Sequence, residues 1–345
     1  MNDRIRVLVA VGVTVLLFLA VQIGALALIE PFHESERQAV ENPDDPTNSF
    51  IYFGIILVAT ALMLAAFKYD LQWLIRALIV GVSVMLAWFV FTEFVPPVIT
   101  VGPANVLAVL AALGLGVALL SYPEWYVIDA TGVLMGAGAA ALFGISFGLL
   151  PAILLLSVLA IYDAISVYGT EHMLDLAEGV MDLKIPVILI VPTSLSYSYL
   201  AAGSTDDVLE GDGDGDDDGD DRSRVSGDEP ADEDDGSEEA GHSDDGSLDR
   251  DALFIGLGDA VIPTILVVSA AFFLEAGTLE VPGIALNLPA LGALLGTIAG
   301  LLVLLYMVLK GRPHAGLPLL NGGAIGGYLI GAVASGLSIV SALGL

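Results

Sequence analysis

The chain has 345 residues, 56% of them hydrophobic, with mean hydropathy +0.83 and a formal net charge of −30. That apolar fraction excludes an ordinary soluble domain, and several apolar stretches approach or exceed the ~20 residues needed to cross a bilayer. The expected class is an all-α, polytopic membrane protein with the lipid bilayer as its surroundings.

The charge is localised, because 22 of the 41 acidic residues lie between Gly203 and Asp251. There are no cysteines, which excludes disulfides and thiolate metal sites. The four histidines, His33, His172, His242 and His314, are scattered. No metal, cofactor or nucleic-acid partner is expected. Few Lys and Arg residues, Asp-rich loops and a pI of about 4.1 point to a high-salt organism, where a short Debye length makes such charge density tolerable.

Nine apolar spans are expected, at 7–29, 51–67, 71–92, 104–121, 133–149, 151–169, 252–274, 284–309 and 318–341. The first follows Arg4 and Arg6, and at about 23 apolar residues it is longer than a signal-peptide core, so it reads as an uncleaved anchor. Pro151 opens the sixth span, where a missing N–H costs nothing. Residues 170–185 place Met173, Leu176, Val180 and Leu183 on one face and read as an amphipathic helix. Pro186 then opens "PVILIVPTSLSY", an apolar piece too short to span.

Residues 203–251 hold almost no apolar side chains and read as a disordered acidic loop between spans six and seven. Asp-Gly-Asp-Gly-Asp within it resembles a calcium loop, but the terminal Glu and flanking helices are missing. The chain thus divides into 1–202, with spans one to six and the amphipathic segment; 203–251, the loop; and 252–345, with spans seven to nine. With the N-terminus cytoplasmic, Arg4, Arg6, Lys68, Lys184, Arg222, Arg224, Arg250, Lys310 and Arg312 fall inside and Arg37 outside. The positive-inside rule therefore favours a cytoplasmic N-terminus and an extracellular C-terminus, in the cell membrane.

Charged residues inside spans are costly and usually functional. Glu93 lies near the end of span three, whereas Asp163, in "LAIYDAISVYG", and Asp259, in "LFIGLGDAVIPTI", have apolar flanks on both sides. Each lies six or seven residues from the expected inner end of its span, so at 1.5 Å per residue both sit roughly 10 Å deep. Consecutive spans are usually neighbours. Two close carboxylates in low dielectric share a proton, so one can activate water while the other protonates a scissile carbonyl, as in aspartic proteases. The bland alternative for a buried Asp is a helix cap or a structural hydrogen bond.

Gly256 and Gly258 precede Asp259, and glycine permits close backbone approach. Helix packing through small residues is the other reading. Pro263, one turn on, bends the helix or frees a carbonyl. "AGLPLLNGGAIGG" (315–327) opens span nine, with an extended residue forced before Pro318. Its Gly-rich helix is expected to pack on spans six and seven.

With these motifs in order, the sequence resembles the presenilin/signal peptide peptidase family of GxGD intramembrane aspartyl proteases, most of all the archaeal presenilin homologues. The carriers are Tyr162-Asp163, Gly256-Leu257-Gly258-Asp259 and Leu317-Pro318, together with the nine-span count and the long hydrophilic loop after span six. The family's Pro-Ala-Leu element stands here as Ala315-Gly316-Leu317, so its first two positions depart and Leu317 is kept. The resemblance implies a presenilin-like fold and Asp163 and Asp259 as the catalytic pair. It implies that Tyr162 shapes the site and that Gly256, Leu257, Gly258, Leu317 and Pro318 bind and position substrate. The substrates implied are transmembrane proteins or peptides, remnant signal peptides among them. Two alternatives stand beside it: a transporter or channel in which the two acids bind a cation or relay protons, and a prepilin-peptidase-like protease.

Since the acidic loop has neither core nor motif, deletion of about residues 206–247 is expected to leave proteolysis in detergent largely intact. Complete loss of turnover by the folded deletion variant would show that the loop does more than solvate.

Overall fold

In lipid, a chain must satisfy its backbone N–H and C=O groups internally, and a helix does so segment by segment. The computed structural model describes residues 3–69, 71–102, 104–169, 186–193, 197–199, 252–310 and 315–345. In it the long apolar runs are helices: α1 (Asp3–Ala27), α3 (Thr47–Lys68), α4 (Gln72–Phe94), α5 (Val106–Ser121), α6 (Trp125–Ser146), α7 (Leu149–Gly169), α8 (Leu257–Phe273), α9 (Leu288–Val308) and α10 (Gly316–Ala334). Short helices α2 (Ile29–Glu34) and α11 (Ile339–Ala342) complete the set among the described residues. Among the described residues seven helices are long and apolar enough to cross a membrane, while α5 and α8 are shorter apolar helices of 16 and 17 residues. The expected helix at 170–185 and the acidic loop at 203–251 lie outside the described residues.

The fold is mostly helical, with short strands between the helices. Among the described residues three two-stranded antiparallel sheets interleave with the helices: β1 (Thr100–Val101) with β2 (Ala104–Asn105), β3 (Ile188–Pro192) with β4 (Ala252–Gly256), and β5 (Thr278–Val281) with β6 (Ile284–Asn287). Hydropathy assigned 252–256 and 284–287 to spans seven and eight; they are strands, and the helices start at Leu257 and Leu288. A short apolar run does not distinguish strand from buried helix by periodicity, so the pairing partner decides. For β6 that partner is β5, across a turn in which Gly283 has φ +71, a region strained for other residues. Span five, expected from residue 133, starts at Trp125.

Helix α8 is the centre of the bundle, packed against α1, α6, α7, α9 and α10. Its residues from Pro263 to Ala270 are all buried, as a helix apolar on every face requires. Asn287 joins α8 to α9: its Oδ1 accepts the Ala290 N–H at 2.8 Å, and its Nδ2 donates to the Ala270 and Leu274 carbonyls at 2.7 Å. Helix α3 lies at the periphery and is almost entirely unburied.

The tightest packing joins α9 and α10. Gly292, Gly296 and Gly300 face Gly323, Gly327 and Gly331, and a Cβ on any of these six would collide with backbone of the opposite helix. Small residues at four-residue spacing let two helices meet backbone to backbone in lipid, where the hydrophobic effect does not drive them together. The Gly-rich helix thus packs hardest on α9, while also contacting α7 and α8.

Gly327→Ala is expected to destabilise the protein by roughly 1–3 kcal/mol through overpacking. Gly326→Ala, at the neighbouring position that faces open space, is expected to be neutral or slightly stabilising. Thermal unfolding in detergent reads the difference, and equal midpoints for the two variants would contradict the packing argument.

Candidate active site

Asp163 lies six residues before the end of α7, and its side chain is 9% exposed. Its Oδ2 accepts the Leu317 N–H at 3.0 Å, and the Gly316 N–H is directed at the same carboxylate. These are the first two residues of α10, whose N-cap, Ala315, has no side-chain acceptor. The opening amides of a helix have no intrahelical partner and favour negative charge. Asp163 therefore caps α10 from another helix, and the structural role open to a buried Asp is filled here alongside any chemical one. One turn further on, Asn321 donates to the Leu156 carbonyl at 2.9 Å and fixes α10 on α7 a second time.

Asp259 is the third residue of α8 and is half-buried. The residues expected to form the inner end of its span are β4, so the acid sits in the first helical turn rather than seven residues along a helix. Pro263 lacks an N–H, which leaves the Asp259 carbonyl without its partner one turn on. Two glycines face the carboxylate: a Cβ on Gly256 would lie 3.5 Å from Oδ2, and one on Gly316 3.4 Å from it. Gly256 has φ −61 and ψ 131, open to any residue, so its glycine character serves space at the acid and not backbone freedom. The Gly316-Leu317 pair meets both acids: Leu317 bonds to Asp163 while Gly316 faces Asp259.

The remaining sequence candidates divide. Leu317 and Pro318 open α10 beside the acids, and Gly258 is exposed next to Asp259. Leu257 is buried, its side chain set against Gly132 and Gly136 of α6. Tyr162 meets Phe53 of α3 edge-on, with ring centroids 5.9 Å apart. Glu93, the third acid near a span, forms an ion pair with Arg37 at 3.0 Å.

The structure also brings in residues the sequence did not single out. Gly316 is one, although its place in the Ala315-Gly316-Leu317 element was a signal. Asp129 is another, passed over because it precedes residue 133. Its Oδ1 accepts the Ile190 N–H of β3 at 2.7 Å.

Strand β4 runs directly into Asp259's helix, and Leu257 N–H donates to the Val187 carbonyl at 2.8 Å. In an antiparallel ladder bonded and non-bonded pairs alternate. The pairs Leu189–Ile255 and Val191–Leu253 are then the bonded ones, and Phe254 and Gly256 turn their N–H groups to the outer edge of β4. No strand covers that edge among the described residues.

Comparison with known proteins gives a consistent result. A family model described as signal-peptide peptidase, presenilin aspartyl protease matches residues 15–337. Two solved structures of a presenilin family intramembrane aspartate protease are similar over nearly the whole chain. The one in space group C222 has 31% identity and a TM-score of 0.60, covering 94% of this chain and 99% of its own. The one in space group P2 has 31% identity and a TM-score of 0.57, covering 93% and 96%. None of the curated proteins matches the chain.

The space at Gly316 is a test of this geometry. Gly316→Ala adds a Cβ in ordinary contact with Asp259 and Leu304 and is expected to retain most activity, whereas Gly316→Leu fills the gap beside the acid. Binding of a labelled aspartyl-protease transition-state inhibitor is expected to persist in the first and to drop by roughly tenfold or more in the second, a loss of at least ~1.4 kcal/mol. Undiminished binding by Gly316→Leu would place the inhibitor elsewhere.

Proposed function

The chain belongs to the signal-peptide peptidase, presenilin aspartyl protease family and is an intramembrane aspartyl protease, and on that premise we propose that Asp163 and Asp259 are its catalytic pair. The observation that carries the assignment is the Gly316-Leu317 backbone, whose amides meet Asp163 while Gly316 also faces Asp259, from a helix remote in sequence. The transporter alternative has no comparable support.

The proposed reaction is general acid–base hydrolysis. One carboxylate takes a proton from water while the other, protonated, donates to the carbonyl oxygen of the scissile bond. The tetrahedral intermediate then collapses, with the proton moving to the departing amine. No covalent acyl-enzyme forms, and no cofactor takes part.

The proposed substrates are transmembrane segments of membrane proteins or remnant signal peptides. Peptide bonds in an intact helix are hydrogen-bonded and shielded, so the helix must unwind before water reaches a carbonyl. The outer edge of β4 supplies backbone partners for the unwound segment by β-augmentation, with Phe254 and Gly256 three to five residues before Asp259. Such recognition reads backbone more than side chains, so sequence specificity is loose. Gly256, Gly258, Leu317 and Pro318 line the approach, and Tyr162 and Leu257 act by holding the helices that carry the acids.

The proposed placement is in the cell membrane with nine spans, the seven long helices together with α5 and α8, the N-terminus cytoplasmic and the C-terminus outside. Arg4 and Arg6 before the first span, Lys68, and Lys310 and Arg312 between the last two spans support that orientation.

Asp163→Asn and Asp259→Asn are each expected to lower turnover of a membrane-spanning peptide by roughly 100-fold or more. Folding should persist, since the amide keeps an acceptor for the α10 amides. The measurement is single-turnover cleavage by the purified protein in liposomes. Near-wild-type rates in either variant would exclude the pair.

A further inference from the structure

Helix α6 does more than fill the bundle next to α8. Near its start, two buried carboxylates reach β3 and the chain beyond it. Glu124, 6% exposed, accepts the Tyr199 N–H at 3.0 Å and the Ser198 hydroxyl at 2.6 Å. Asp129, also 6% exposed, accepts the Ile190 N–H at 2.7 Å. Further along the same face, Gly132 lies under Leu189 and Leu257, and Gly136 under Leu257 and Val261. Positions 129, 132 and 136 share one side of a helix, so α6 forms a continuous seat for β3 and for the first turn of α8.

The register of the sheet fixes what Asp129 does there. Ile190 belongs to a non-bonded pair with Phe254, so its N–H points away from β4, to the outer edge of β3. An uncovered strand edge is a template for another strand. Asp129 occupies that edge with an acceptor that offers no matching backbone pattern. It closes β3 to augmentation and leaves β4, whose outer edge no strand covers among the described residues, as the edge for an incoming strand. It also ties β3 to α6, and β4, held to β3 residue by residue, continues without a break into Leu257-Gly258-Asp259.

We propose that Asp129 is a positioning residue for proteolysis: by pinning β3 to α6 and closing its outer edge, it sets the register at which a substrate strand on β4 presents its peptide bonds to the acid pair. The inference rests on the proposed pair and on substrate binding at β4. Asp129 touches neither substrate nor the reacting atoms. Its effect is on which bond is cut, and not on the chemistry of cutting.

Removing the hydrogen bond from either side tests the proposal. Asp129→Ala deletes the acceptor. Ile190→Pro deletes the donor while leaving the β3–β4 ladder intact, because proline is tolerated on a strand edge and Pro192 already stands at the same edge. Asp129→Asn keeps an acceptor and is the conservative rescue. The measurement is mass spectrometry of the products of one membrane-spanning peptide, normalised to active sites titrated with a transition-state inhibitor.

Asp129→Ala and Ile190→Pro are expected to change the ratio of the two main products by about tenfold, in the same direction, the scale of a buried hydrogen bond left unmade. Asp129→Asn is expected to restore the wild-type ratio. If only one of the two disrupting variants folds, that one decides. A purely structural role would reduce the number of active sites and leave the product ratio per site unchanged, and that result overturns the proposal. Absence of cleavage by the wild-type protein would sink the proposed substrate reading as well, so the two failures are distinguishable.

Discussion

The backbone contact between α9 and α10 is the constraint on which the site depends. Six glycines let the two helices approach until carbonyls of one lie where side chains of the other would otherwise stand. Lipid offers no hydrophobic drive to bring helices together, so close packing and polar contacts must do it. With α10 fixed on α9, its first amides reach Asp163, and its Gly316 Cα comes to face Asp259. An acid on α7 thereby becomes the cap of a helix more than 150 residues further on. The same bond that satisfies the helix terminus orients the carboxylate.

Space is the second requirement. With Asp163 and Asp259 as the proposed pair, hydrolysis needs room at these acids for a peptide bond and a water, in a bundle that otherwise closes around α8. Gly256 and Gly316 keep the approach to Asp259 clear by having no side chain. The β3–β4 sheet ends at that gap. Irregular or extended backbone at membrane depth is tolerated where it is covered by protein or lines a cavity. Here α6 meets one edge through Asp129, and no strand among the described residues covers the other. In the proposed reading, the sheet, the two glycines and the acid pair form one path from strand recognition to chemistry.

Several structural contacts keep polar groups satisfied away from this path. Arg37 pairs with Glu93 and lies over the Phe89 ring, with 4.4 Å from guanidinium to centroid. Asn287 closes the joint between α8 and α9. These contacts hold the helix ends around the two acids.

The sequence by itself determined the membrane class, most of the helices and the two acids. Long apolar runs admit few structures in lipid, and an ionisable residue in the middle of one is conspicuous. The order of Tyr162-Asp163, Gly256 to Asp259 and Leu317-Pro318 was enough to indicate the family. Only the tertiary structure decided that 252–256 is a strand, since its partner lies across the acidic loop at 188–192 and an apolar run of five residues fits helix or strand equally well. Only it decided that Asp129 matters, because that acid precedes the run that hydropathy selects and its partner is a backbone amide 61 residues away. Leu257 and Gly316 exchanged prominence for the same reason: which face a residue turns to the acids depends on helices brought together from distant parts of the chain, and no local pattern records that.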